Sequence, residues 1–136
     1  MAPHVLILGF NDTEETELII TLDILRRSGV ENQALGKFLQ RHEKAEKFLG
    51  AICGAPFVFA NNGIGKGGAI TSFPPEKDEI LKKGDYDYHE ENVVVSKNIV
   101  TSRAPGTAFE FALKLTELLV GKDKADEIGK KLLIIQ

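Results

Sequence analysis

The run Phe48-Leu49-Gly50-Ala51-Ile52-Cys53, closed at once by Gly54-Ala55-Pro56, constrains the fold of this chain more than any other stretch. It is short and apolar and is ended by small residues, which reads as a buried strand. Pro56 suits the first turn of a helix, where a missing N–H leaves no bond unmade, and that helix is expected to run to about Asn61. A strand that feeds a helix through so tight a turn is the unit of an α/β domain. The same order opens the chain. Val5-Leu6-Ile7-Leu8, closed by Gly9, is a second buried strand. A helix follows it, with Asp12 and Glu15 spaced as a capping box and Glu14, Glu15 and Glu17 in its first turn. Leu18, Ile19, Leu22 and Leu25 form its apolar stripe, and Arg26, Arg27 and Gly29 end it.

Between these two units the alternation breaks. Only Val30 and Glu31 separate the first helix from a second, capped by Asn32, with Leu35, Phe38, Leu39, His42, Ala45 and Phe48 on one face. A helix following a helix is out of place in a chain that otherwise alternates, and a segment is expected to be missing there. A sheet short of interior strands would show unpaired edges and apolar faces.

Further on, Gly63, Gly65, Gly67 and Gly68 make a turn-rich connector. It lacks the G-x-x-x-x-G-K-[ST] pattern of a phosphate loop and follows a helix, so it reads as a plain connection. Ala69-Ile70-Thr71 is a short strand stopped by Pro74-Pro75, and Glu76 to Lys83 is a short charged helix. The polar run 85–91 is expected to be a solvated loop. Asn92 to Val95 and Asn98 to Ser102 form a hairpin through Ser96-Lys97. Pro105-Gly106-Thr107 starts a helix with Thr107 and Glu110 as a capping box, an apolar face from Phe109 to Val120, and Gly121 as its stop. A last helix, capped by Asp123, leads into the apolar Leu132-Leu133-Ile134-Ile135. All of this fits a single domain over residues 1–136.

Charge narrows the function. A net charge of −3 offers no basic surface for nucleic acid or anionic membrane. The start, Met1-Ala2-Pro3-His4, has no basic leader, and no apolar run reaches the length that spans a bilayer. One cysteine cannot close a disulfide within the chain, which suits a reducing, cytoplasmic setting. With one cysteine and no histidines at ligand spacing, we expect neither a metal nor a cofactor.

Cys53 is the residue on which chemistry would turn. It stands where a strand hands over to a helix, facing amides that favour a thiolate, in the manner of a nucleophile elbow although G-x-S-x-G is absent. A lone cysteine can equally be a small buried hydrophobe, and the strand-turn-helix setting is what favours the reactive reading. Glu17, at the carboxyl end of the first strand, could reach such a sulfur, or could simply offset the helix dipole. His4 precedes the first strand, His42 lies on an apolar stripe, and His89 sits in the polar run.

Ala51-Ile52-Cys53-Gly54-Ala55-Pro56 and the long run from Thr101 to Leu113 resemble the ThiJ/PfpI superfamily, and within it the protein deglycase branch of Parkinson disease protein seven. Glu14 to Glu17 and Leu22 to Gly29 match the first helix of that branch. The resemblance implies a flavodoxin-like, three-layer α/β sandwich with a mostly parallel sheet, incomplete in this chain, and a homodimer. It implies glyoxalase or deglycase chemistry on small reactive carbonyls such as methylglyoxal, or a redox-sensing and chaperone role. Carried across, Cys53 is the nucleophile, Glu17 the protonated partner of its sulfur, and Gly54, Ala55 and Pro56 the elbow. Asp23 and Arg27 fall near the implied dimer interface. Two departures stand out. Phe73, in Thr71-Ser72-Phe73-Pro74, replaces the family's histidine, so proton transfer would fall to Glu17 or water. The helix–helix junction near residues 30–32 omits on the order of fifty residues, more than one βαβ repeat of roughly thirty.

Overall fold

The computed structural model describes residues 33–135. The chain divides into two compact units, residues 1–37 and 38–136, and the architecture below is that of the second. Its elements are α1 (Gln33–Lys44, which begins in the first unit), β1 (Leu49–Ile52), α2 (Ala55–Asn61), β2 (Ala69–Ile70) and α3 (Lys77–Leu81). They continue with β3 (Asp87–Tyr88), β4 (Val93–Ser96), β5 (Ile99–Ser102), α4 (Ala108–Val120) and α5 (Lys122–Lys131). Single 3₁₀ turns, Pro74–Glu76 and Pro105–Thr107, lead into α3 and α4.

Two sheets result. One has the order β1-β5-β4, with β5 parallel to β1 and antiparallel to β4; the other pairs β2 with β3 in parallel. The hairpin is the one that the β-branched runs predict. Ser96 pairs with Ile99 across a two-residue turn, and Lys97 takes the positive φ of 55° that such a turn demands. All four residues of β5 are buried, as befits a middle strand.

Alternation along β1 creates the layers. Leu49 and Ala51 point to one face, where they pack with Leu39, Phe59, Ile64 and Ile99. Gly50 points to the other, and a Cβ placed there would lie 3.1 Å from Phe111 Cζ and 3.3 Å from a Leu115 methyl of α4. Glycine at this point is what lets α4 approach the sheet. Helices therefore cover both faces of a mixed sheet, the flavodoxin-like α/β arrangement. A second core gathers Ala60, Ile70 and Ile80 with Phe57, Tyr86 and Tyr88. α2 separates the two clusters, sending Phe59 into one and Ala60 into the other.

The glycine connector earns its composition through φ angles of 69°, 68° and 80° at Gly63, Gly65 and Gly67. It is pinned at two adjacent residues. Glu43 Oε1 accepts the Gly65 N–H at 2.6 Å, and Tyr86 donates its phenol to the Ile64 carbonyl at 2.9 Å. Burial, followed by the nearby Asp85 and Glu43 charges, pushes the Tyr86 hydroxyl up to about 12, so it stays a donor.

Four details differ from the sequence reading. Residues 85–91 are not simply a loop: Asp87 and Tyr88 form β3 against β2, in a segment whose acidic side chains disguise a strand. Of the proposed face of the second helix, Leu39 is buried but Phe38 is half exposed, and Ala45 and Phe48 lie beyond the helix end. The Thr107–Glu110 capping box does not form, because Glu110 Oε1 instead accepts from Asn92 Nδ2 at 2.9 Å. Gly121, with φ of 99°, caps α5 in place of Asp123. No residue of α4 is fully buried, and Phe109, Leu119 and Val120 are 63%, 62% and 65% exposed. Among the described residues β1 is also an edge strand, bonded to β5 alone.

Candidate functional site

The strand-to-helix turn after β1 holds the most unusual backbone of the site. Cys53 has a φ of 64°, in the left-handed region that only glycine enters freely. It is a half-buried free thiol. Gly54 beside it has an ordinary helical φ of −79°, and a Cβ there would meet nothing within 4 Å. The strain therefore falls on the cysteine although a glycine stands next to it. Pro56 is buried within the first turn of α2.

Two main-chain bonds hold Cys53. Its N–H donates to the Ser102 carbonyl at 3.1 Å, extending the β1–β5 ladder by one residue. Its carbonyl accepts from the Phe73 N–H at 2.8 Å. Phe73 is thus brought to the cysteine turn, and what it offers there is an amide and a phenyl ring. Phe73 itself is 38% exposed.

Around this turn the ends of β2 and β5 bring together hydroxyls that sequence reasoning did not single out. Thr71, Ser72, Thr101 and Ser102 are all buried. Thr101 Oγ1 accepts from the Thr71 N–H at 3.0 Å. Ser102 donates its hydroxyl to the Asn92 carbonyl at 2.7 Å, and its oxygen lies 2.6 Å from Thr107 Oγ1. Tyr88 OH lies 3.0 Å from Ser72 Oγ and 3.2 Å from the Ser72 carbonyl. The only sequence signal for this cluster is a pair of Thr-Ser steps, each at the end of a predicted strand, and nothing local says that they meet.

The described histidines are engaged elsewhere. His42 stacks on Phe38 with ring centroids 4.8 Å apart. His89 Nε2 sits 2.8 Å from Asp87 Oδ2, and its Nδ1 is 3.7 Å from Glu91. The hydrogen bond to Asp87, then its charge and that of Glu91, hold the imidazole above its ordinary 6.5. A raised folded value means that the pair adds stability fully below about pH 6.5 and loses it as pH rises through the folded midpoint. An NMR titration of His89 should show a midpoint above 6.5 that falls back towards it in Asp87→Asn; equal midpoints in the two proteins would refute the pairing.

Two shallow hollows mark the surface of this unit. One, of 640 Å³, is lined by Lys66, Gly67, Gly84, Asp85, Tyr86 and Asp87; the other, of 470 Å³, runs along Glu90 to Val93 with Glu110 and Lys114. Cys53 lines neither. Among the described residues no group of three or more His, Cys, Asp or Glu side chains could hold a metal ion, and no helix is long and apolar enough to cross a membrane. Glu17, Asp23 and Arg27 lie outside the described residues, as does His4.

Residues 29–118 match the DJ-1/PfpI family. The chain is 41% identical to Protein dj-1beta of Drosophila melanogaster, over 76% of this chain and 55% of that protein. It is 40% identical to the glutathione-independent glyoxalase DJR-1.2 of Caenorhabditis elegans, over 72% of this chain and 52% of that one. The crystal structure of the Drosophila DJ-1beta superposes with a TM-score of 0.73 at 40% identity, covering 78% of this chain and 56% of the other. The chain spans about half the length of the curated relatives it matches.

Proposed function

The chain belongs to the DJ-1/PfpI family, and from that premise we propose that it carries cysteine chemistry of the glyoxalase or deglycase type, with Cys53 as the reacting group. The observation that carries this reading is the left-handed backbone at Cys53, φ 64°, immediately after β1 and before the Pro56 helix. Strain of this kind persists only where its surroundings over-determine it, and it gathers at functional sites. The glyoxalase name of a relative at 40% identity supports the carbonyl substrate.

The step balances without a cofactor. The Cys53 thiolate adds to the aldehyde carbon of a 2-oxoaldehyde such as methylglyoxal, and the oxygen takes a proton. A proton then passes from that carbon to its neighbour, turning the hemithioacetal into a thioester. Water cleaves the carbon–sulfur bond, freeing lactate and the thiol. Methylglyoxal and water have become lactate, with nothing else oxidised or reduced. Glu17 is the carboxyl to which we assign proton transfer, and Gly54, Ala55 and Pro56 are the elbow that presents the sulfur. A homodimer with Asp23 and Arg27 near its interface completes the proposal. Cys53→Ser should lower lactate formation from methylglyoxal on the order of a hundredfold or more, with the unfolding midpoint unchanged. Lactate formed at the parent rate by that variant would sink the reading.

One observation favours a second role. Phe73 brings no proton carrier to the cysteine turn, and the described histidines are held by Phe38 and by Asp87 with Glu91. A thiol that turns over carbonyls poorly can still be oxidised by peroxide through sulfenate to sulfinate. In that role Cys53 senses oxidants, and a gain of two oxygens confined to Cys53 under mild peroxide is the mark to look for.

A further inference from the structure

We propose that Tyr88 is a positioning residue for Cys53, acting through Ser72 and the main chain of Phe73. The proposal rests on Cys53 being the reacting group. It starts from an asymmetry in the two bonds that hold the left-handed turn. The Cys53 N–H bonds the Ser102 carbonyl, and Ser102 ends β5, a strand held by four residue pairs to β4 and four to β1. The Phe73 N–H that grips the Cys53 carbonyl comes from a different sheet, β2–β3, whose ladder has only two residue pairs, Ala69 with Asp87 and Ile70 with Tyr88. Phe73 stands three residues past the end of β2, so that ladder alone does not fix it.

Besides the Glu76 N–H, which bonds the Phe73 carbonyl at 2.9 Å, three contacts make up the difference. The Thr71 N–H is held by Thr101 Oγ1 at 3.0 Å, and the Ile70 carbonyl accepts the His89 N–H at 2.9 Å. Tyr88 then takes Ser72 by both of its oxygens. Its phenol donates to the Ser72 carbonyl at 3.2 Å, and the Ser72 hydroxyl, 3.0 Å away, donates to the phenol oxygen or to the Phe73 carbonyl at 3.1 Å. Each hydroxyl has one proton, and this assignment uses each once. Tyr88 is in turn steadied from outside: the Lys77 ammonium lies 5.5 Å from its ring centroid, and Lys77 pairs with Glu90 at 2.5 Å. The path runs from the phenol to Ser72, one peptide on to Phe73, and by a 2.8 Å bond to the carbonyl of the strained residue. A clamp that slackens there lets Cys53 relax towards ordinary φ and turns its sulfur away from the elbow.

The test uses the whole chain and two readouts. The first is hydrogen exchange of the Phe73 amide, which reports the clamp itself. The second is the rate at which iodoacetamide alkylates Cys53 at fixed pH, read by intact mass. In Tyr88→Phe we expect the Phe73 amide to exchange at least tenfold faster and Cys53 to alkylate several-fold more slowly, while the amides of β4 and β5 keep their protection. Ser72→Ala, which keeps the carbonyl that the phenol bonds but loses the hydroxyl, should give both effects in smaller measure, and Ser72→Thr, which keeps the hydroxyl, should restore them; this pair also stands in if Tyr88→Phe does not fold. An unchanged Phe73 amide, an unchanged alkylation rate, or faster exchange spread evenly over β4 and β5 would each overturn the proposal. Neither readout needs turnover. Methylglyoxal activity that survives in Cys53→Ser would therefore defeat the functional reading while the Phe73 amide still showed whether the clamp exists.

Discussion

Val100→Asp will leave no cooperatively folded protein. Val100 is 0% exposed at the centre of β5, opposite Gly50 of β1 and Val95 of β4. A carboxylate placed there gives up its water, and an unpaired buried charge costs several kcal/mol even after the surroundings relax. That cost is comparable to the entire stability of an ordinary domain, about 5–15 kcal/mol. Val100→Ala removes only methyl groups and should cost on the order of 2 kcal/mol while keeping the fold. Urea titration followed by circular dichroism separates the two. The alanine variant should give a shifted sigmoid and the aspartate variant none, and an aspartate variant that melts like the parent would mean that β5 is not the middle of the core.

Cys53→Gly will make the protein more stable and chemically inert at the same position. The cysteine Cβ is what makes φ of 64° unfavourable, by roughly 1–2 kcal/mol. Glycine removes that penalty but adds freedom to the unfolded chain worth roughly 0.5–1 kcal/mol. The balance is a gain of about 1 kcal/mol, or roughly 2–4 °C in Tm for a domain of this size. Both the proposed carbonyl reaction and the proposed peroxide-dependent mass gain at this residue should vanish with the thiol. Cys53→Val, which brings a β-branched side chain to the same backbone, should instead lower Tm. A glycine variant less stable than the parent would show that no strain is stored at this turn.

Where local chemistry decides, the residues announce the structure. The apolar run before Gly54-Ala55-Pro56 is β1 and its turn, the β-branched runs around Lys97 are the hairpin, and the glycines after Asn61 take the positive φ angles that explain them. Where partners are distant the sequence misleads. Asp87 and Tyr88 look like part of an acidic loop because their strand is justified only by Ala69 and Ile70, far back in the chain. Glu110 has the spacing of a capping residue yet is taken by Asn92, which the fold brings alongside. The site divides in the same way. Cys53 and its elbow are visible as a motif, and Phe73 as a departure from one. The bond between Phe73 and Cys53, and Tyr88 behind Ser72, depend on two sheets meeting and leave no trace in spacing. Glu17, Asp23 and Arg27 lie outside the described residues and stay at the level of resemblance.

The register of β1 also sets an order of events. Ser96 finds Ile99 across a two-residue turn, whereas Leu49 must find Ile99 across the whole intervening chain. Closing the long loop carries the greater entropy cost, so the hairpin can form early and the parallel pairing late. The Cys53–Ser102 bond belongs to that late pairing. A chain still folding therefore bears an accessible cysteine that has not yet acquired its elbow. Until β1 docks, the Cys53 N–H lacks the Ser102 carbonyl that holds it in the finished fold.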